Sequence, residues 1–207
     1  MSPRLTVLLD HYPNLEPCVP EIEKAFVLLR DMYTAGHKVL ICGNGGSAAD
    51  ADHISGELLK GFQSLRPLTE EQRRGMGAEL ADQLQQSLPA IPLTSFPALT
   101  SAVQNDLSGE VAFAQLTLGL GQKGDVLWGI STSGNAVNVC HALRVARSKG
   151  LGTLGLTGET GGRMKELCDV CIQVPERETF RVQEHHLPIY HCLCLMLEDE
   201  FFSLGAT

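Results

Sequence analysis

The chain has no run of about 18 consecutive apolar residues, so a membrane-spanning helix of ordinary length is not expected. Its opening stretch, MSPRLTVLLDHYPNL, breaks a short apolar run with Asp10, His11 and Pro13, which argues against a secretory signal and for a cytoplasmic location. Positive charge is also scarce: 16 basic against 24 acidic residues leave a formal net charge of −8. Coating nucleic acid requires a broad basic face, so neither a nucleic-acid nor a membrane partner is expected. A single small phosphate is compatible with this charge, because backbone N–H groups at a helix N-terminus can hold one without a global positive field. A disulfide framework is missing too, since the seven cysteines are odd in number and several lie in apolar segments. Cys168 and Cys171 form a CxxC without the second pair that a four-ligand zinc site needs. They read as ordinary thiols beside the start of a strand, and Cys192 and Cys194 as buried ones.

What is present is core material. At 43% hydrophobic and 19% charged, 207 residues suffice for one well-buried core, and residues 1–207 are read as a single domain. Residues 20–36 carry apolar side chains at helical spacing between Pro20 and Gly36, which predicts a helix. KVLICG (38–43) is a short β-rich run leading through GNGGS (43–47) into a helix that extends to about Lys60. The pattern recurs when DVLWGIS (125–131) passes through TSGN into a helix from about Ala136 to Lys149, closed by Gly150. TLGLTG (153–158), VCIQVP (170–175) and AIPLTS (90–95) supply further short strands. Strands alternating with helices predict an α/β fold, a parallel sheet covered on both faces. Residues 61–92 interrupt the rhythm: Thr69 and Gln72 form a capping-box signature, and a polar, helix-prone stretch contains Gly75 and Gly77. The segment reads either as an inserted surface helix or lid, or as a solvated spacer.

The first glycine turn has two readings. Gly43, Gly45 and Ala48 satisfy G-x-G-x-x-A between a strand and a helix, the dinucleotide fingerprint. That fingerprint also needs an acidic residue ending a second strand about 20 residues on. This chain has KGFQSLRPL there, with neither acid nor strand, so no nucleotide cofactor is expected. The second turn, Ser131-Thr132-Ser133-Gly134-Asn135, places three hydroxyls and a glycine before a helix. By composition it is either a phosphate cradle or a hydroxyl-rich helix cap.

Taken together, GISTSGN, CGNGGSAADADH and RVQEHH resemble the sugar isomerase (SIS) domain family and, within it, the sedoheptulose 7-phosphate isomerases. The likeness runs from about Lys38 to Glu198, interrupted by residues 61–92. The resemblance implies a three-layer sandwich around a five-stranded parallel sheet, and a homotetramer with active sites at subunit interfaces. It implies that Ser47, Ser131, Thr132 and Ser133 hold a sugar phosphate, with Asn44, Gly45, Gly46, Asn135 and Gln183 lining the site and Asp106 orienting sugar hydroxyls. It also implies that Glu57 and His191 perform the proton transfers of an aldose–ketose isomerisation. These types suit that chemistry: a carboxylate can carry a carbon-bound proton, and a histidine exchanges oxygen-bound protons near neutral pH. His53, Glu57, Gln183 and His191 together form a donor set for one zinc ion per subunit, which the resemblance permits. The family also contains non-catalytic modules that bind a sugar phosphate or a protein partner, and that alternative stays open.

Overall fold

The structure is a computed structural model and describes residues 2–202. Five parallel strands form one sheet in the order β2-β1-β3-β4-β5: β1 Val39–Cys42, β2 Ala90–Pro92, β3 Val126–Ser131, β4 Gly152–Thr157 and β5 Val170–Gln173. The register runs Leu40 to Leu127, Trp128 to Leu154 and Leu156 to Ile172. All six residues of the central β3 are buried, as a sheet covered on both faces requires.

The period of two along the strands separates two apolar layers. Val39, Ile41, Trp128, Ile130 and Leu154 face α1 (Pro3–His11), α2 (Val19–Thr34), α3 (Gly46–Leu59) and α10 (Thr179–Phe202). Leu40, Cys42 and Leu127 face the opposite layer, built mainly from α7 (Ala112–Leu120), α8 (Val137–Lys149) and α9 (Met164–Leu167). Gly150 ends α8 in the left-handed region at φ 75°, donating its N–H back into the last turn. The chain leaves β1 toward β2 and then returns to place β3 on the other side of β1. The carboxyl ends of β1 and β3 therefore flank the point where strand order reverses, the usual ligand crevice of an open parallel sheet.

The structure differs from the expected elements at three places. Residues 3–11 form a helix whose Leu5 and Leu8 are buried, although its sequence was too short and mixed to signal one. Two helices, α6 (Pro97–Asp106) and α7, stand between β2 and β3 where no element was read. The 61–92 segment is not one inserted helix: Gly75 and Gly77, at φ 81° and 79°, split it into single turns α4 (Glu70–Arg73) and α5 (Ala78–Ala81), and it ends in β2. The expected capping box at Thr69 and Gln72 is formed. Among the described residues no helix is long and apolar enough to cross a membrane.

Within α10, His186 is fully buried and neither ring nitrogen has a hydrogen-bond partner among the described residues. Burial pushes its pKa down to about 4, aided by His185 and opposed by the Thr157 backbone. The folded protein holds this ring neutral while the unfolded chain protonates it near pH 6.5, so its contribution is complete above about 6.5 and is lost as pH falls toward 4. The effect is at most on the order of 3 kcal/mol. Urea unfolding at pH 7 and pH 5 should show lower stability at pH 5, and His186→Leu should flatten that slope.

Candidate functional site

Two glycine turns close the crevice from above. In the first, a Cβ on Gly43 would stand 2.5 Å from the Ser47 carbonyl oxygen, and Gly45 has φ 57°, so both positions require glycine. This tight exit from β1 starts α3 at Gly46, with the positive end of its dipole beside the crevice. In the second turn Gly134 has φ 64°, and a Cβ there would be 2.0 Å from the Gly161 carbonyl oxygen. The turn is braced from below: Met164 N–H donates to the Gly134 carbonyl at 3.1 Å, and Arg163 donates its N–H to Asn135 Oδ1 at 3.1 Å and its guanidinium to the Asn135 carbonyl at 2.6 Å. A reciprocal amide pair joins the two turns, Asn44 to Asn138 at 2.9 Å and Asn138 to Asn44 at 2.8 Å. Between them lies a cavity of about 430 Å³ lined by Asn44, Gly45, Gly46, Ser47, Ser131, Thr132 and Ser133, with Thr179 and Gln183 contributed by α10.

From this cradle α3 and α10 run side by side in the same direction. Gly46 meets Gln183, where a Cβ would be 2.5 Å from the amide nitrogen. A few residues on, the Tyr190 hydroxyl donates to Asp50 Oδ1 at 3.3 Å and lies 3.0 Å from His53 Nδ1. Beyond that, His53 Nε2 is 3.2 Å from Glu57 Oε1 and 3.4 Å from His191 Nε2. The expected residues thus gather in two places: the phosphate set with Gln183 at the cradle, and His53, Glu57 and His191 farther along the groove. Asn135 sits just behind the cradle wall, bound by Arg163. Asp106 is not brought in; it is exposed at the end of α6, with Asn105 as its hydrogen-bond partner, and does not line the cavity.

The second cluster is electrostatically unfinished. With the Tyr190 proton given to Asp50, the hydroxyl oxygen is free to accept from His53 Nδ1–H, which leaves a lone pair on His53 Nε2 facing Glu57 and His191. A lone pair against a carboxylate at this distance calls for a proton or a cation between them. Glu57 Oε2 is buried and has no partner among the described residues. Burial lowers the His191 pKa, His53 adds to the lowering, and Glu57 opposes it. Asp50 is raised by burial against the pull of Tyr190 and His53.

The donor types suit zinc, and separations of 3.2 and 3.4 Å match the edges of a tetrahedron with bonds of about 2 Å. Among the described residues, however, no three His, Cys, Asp or Glu side chains close into a metal-holding group. In this structure the Gln183 amide is turned toward Gly46 at the cradle end, about two helical turns from His191.

Asn138 and Thr179 line or brace the site without having been singled out from the sequence, and Tyr190 was read only as apolar context for His191. The signal available for Asn138 was its place one turn after the hydroxyl run.

The second glycine turn yields a direct test. Gly134→Ala should cost about 1–3 kcal/mol, from a left-handed φ and a backbone collision together. Gly36→Ala, at φ 79° but with no atom within 4 Å, should cost about 1 kcal/mol from conformation alone. Thermal unfolding of the two variants separates these; equal losses would remove the close approach as the reason for glycine at 134.

Comparison with known proteins agrees with this geometry. Residues 16–158 match the SIS domain family. The phosphoheptose isomerase of Aneurinibacillus thermoaerophilus is 40% identical over 181 residues, covering 87% of this chain and 82% of that protein. That of Nitratiruptor sp. is 39% identical over 198 residues, covering 94% and 96%. A solved phosphoheptose isomerase from Francisella tularensis superposes with a TM-score of 0.77 at 30% identity, covering 91% of each chain. The glycine-turn cradle and the paired helices behind it are thus those of the SIS domain family, to which this chain belongs as an aldose–ketose isomerase of the phosphoheptose isomerase group.

Proposed function

We propose that the protein interconverts sedoheptulose 7-phosphate and D-glycero-D-manno-heptose 7-phosphate in the cytoplasm, with the phosphate in the cradle and the reacting carbons at Glu57 and His191. The observation that carries this reading is the groove between α3 and α10. Helical rise puts Glu57 about 15 Å along the axis from Ser47, and the tilt of side chains toward the helix N-terminus shortens that by several ångströms. A seven-carbon sugar phosphate, extended at about 1.2 Å per bond, spans about 10 Å from C1 to phosphorus. Shorter sugars fall short of the second cluster.

The phosphate is held by Ser47, Ser131, Thr132 and Ser133 at the N-terminal end of α3, where the helix dipole favours an anion, so the acidic surface is no obstacle. Glu57 takes a proton from C1, giving an enediolate with its charge at the C2 oxygen. Neutral His191 accepts the O1 proton and delivers it to the C2 oxygen, and return of the carbon proton from Glu57 to C2 gives the aldose, so both side chains finish as they began. A His191 held below the usual histidine range is neutral at pH 7, ready to accept the hydroxyl proton.

We read residues 1–207 as one SIS domain, with the 61–92 segment inserted beside the Glu57 end of the groove. We also propose zinc as the cation balancing the second cluster, held by His53, Glu57, His191 and Gln183. Bound there, it would polarise substrate oxygens. The family resemblance also supports a homotetramer with active sites at subunit interfaces, in which Asp106, remote from the cavity of its own chain, would act across the contact.

Incubation with sedoheptulose 7-phosphate, followed by NMR, should show the aldose; binding without turnover would leave a sugar-phosphate-binding module instead. Glu57→Gln should lower turnover by about 100- to 10,000-fold while sugar-phosphate binding persists. Wild-type turnover in that variant would remove Glu57 from the mechanism. For the metal, protein purified without a histidine tag should carry zinc and His53→Ala should lose it, by elemental analysis; zinc that survives the substitution sits elsewhere.

A further inference from the structure

The turn that follows α3 is fastened by an ion pair with no access to solvent. The side chains of Arg66 and Glu198 are both 0% exposed, and Arg66 Nε donates to Glu198 Oε1 at 2.8 Å. Glu198 also accepts the backbone N–H groups of Phe62 at 2.8 Å, Gln63 at 2.8 Å and Ser64 at 3.1 Å. The remaining guanidinium nitrogens of Arg66 donate to the Leu58 carbonyl at 2.8 Å and the Glu57 carbonyl at 3.1 Å. These carbonyls belong to the last turn of α3, where helix geometry leaves them without intrahelical partners and a cation is favoured.

One half of the pair touches a member of the reacting pair directly, and the other reaches the second member through Phe62. Arg66 holds the backbone of Glu57 itself. Glu198 lies two turns beyond His191 on the same face of α10, and the Phe62 N–H that it fixes belongs to the residue whose ring packs on His191 at 5.3 Å between centroids. Arg66 is, moreover, the one non-glycine residue with positive φ among the described residues, at 45°. The chain accepts a disfavoured backbone to aim this guanidinium inward, under the Phe202 ring at 4.6 Å. A buried pair is weak evidence of stabilisation, because an apolar pair of similar volume often serves the fold equally well. What it supplies that an apolar pair cannot is direction: six hydrogen bonds from the pair to backbone and to each other fix α3, the 62–64 turn and α10 in one register.

We propose that Arg66 and Glu198 are positioning residues for the isomerisation, a buried clamp that sets the Glu57 carboxylate against the His191 ring. This rests on the assignment of Glu57 and His191 as the proton-transfer pair. Glu57 is oriented through its own carbonyl, His191 through Phe62, and the phosphate cradle at the other end of both helices is untouched.

The test compares Arg66→Lys, which keeps the charge but not the fork, and Glu198→Gln, which keeps the shape but turns an amide N–H toward backbone donors. Leu143→Ala, in the opposite apolar layer, is the control for general destabilisation. In Arg66→Lys, kcat for sedoheptulose 7-phosphate should fall roughly 10- to 100-fold, the scale of an ångström-level misplacement, with KM within about twofold of wild type. The imidazole resonance of His191 should move in Arg66→Lys and Glu198→Gln and stay in place in Leu143→Ala, whose kcat is unchanged. A kcat in Arg66→Lys no lower than the control's, a KM rising in parallel with the loss of kcat, or failure of both clamp variants to fold would overturn the proposal and leave the pair a folding element. If wild-type protein turns over no sugar phosphate, the assignment of the reacting pair falls instead; the His191 resonance still decides the clamp, which an unmoved signal overturns.

Discussion

The contact of Gly46 with the Gln183 amide marks where α3 and α10 begin together at the carboxyl edge of the sheet. Because they then run parallel, every residue of α3 that faces the groove has a neighbour at the matching height on α10: His53 with Tyr190 and His191, and the turn after α3 with Glu198. The groove therefore has a cradle at one end and titratable groups at the other, and its length is set by helical rise. A substrate is measured against that length. Nothing in either turn alone would select a long sugar over a short one.

The proposed anion site relies on turn hydroxyls and a helix terminus rather than on net charge. Two strand-to-helix turns, joined by the Asn44–Asn138 amide pair, present hydroxyls and the start of α3 to the same cavity. Helix-terminal partial charges are effective within a turn of the helix end and hardly reach beyond it, so a chain of formal charge −8 can hold a phosphate there. The lysines and arginines serve elsewhere: Arg163 ties Asn135 into the loop beneath the cradle, and Lys38 pairs with the buried Asp125 at the opposite edge of β1 and β3.

The far end of the groove is built on the opposite logic. Asp50, Tyr190, His53, Glu57 and His191 form a chain of polar contacts in a partly dry environment, and the placement of one hydroxyl proton determines where lone pairs accumulate. Burial raises Asp50 and lowers His191, so both favour their neutral forms more than they would in water. Groups balanced this way can exchange protons with a substrate or accept a cation, and the choice falls to whatever enters the groove.

The strands, the glycine turns and the helices after them were legible because their causes are local: β-rich runs of four to six residues, glycine where φ must be positive, and a hydroxyl run before a helix. The hydroxyl run of the second turn was legible for the same reason, whereas its assignment with Ser47 to a phosphate rests on the resemblance. The first helix and the division of the 61–92 segment were not, because Leu5 and Leu8 declare themselves only by packing on α10, and two glycines can end a helix or merely weaken it. Joining Glu57 to His191 across 134 positions needed either a resemblance or a fold, since no periodicity links two helices so far apart. Arg66 and Glu198 carried no local signal at all: a charged residue in a polar segment and an acid near the end of an apolar helix read as solvated surface. The amino-acid sequence by itself determined the parallel sheet, its turns and the residue types of the site, because these follow from neighbours in the chain. Only the tertiary structure decided which charges are buried, how far the cradle stands from Glu57 and His191, and which side chains of α3 and α10 meet, because those are distances between helices that the sheet alone brings together.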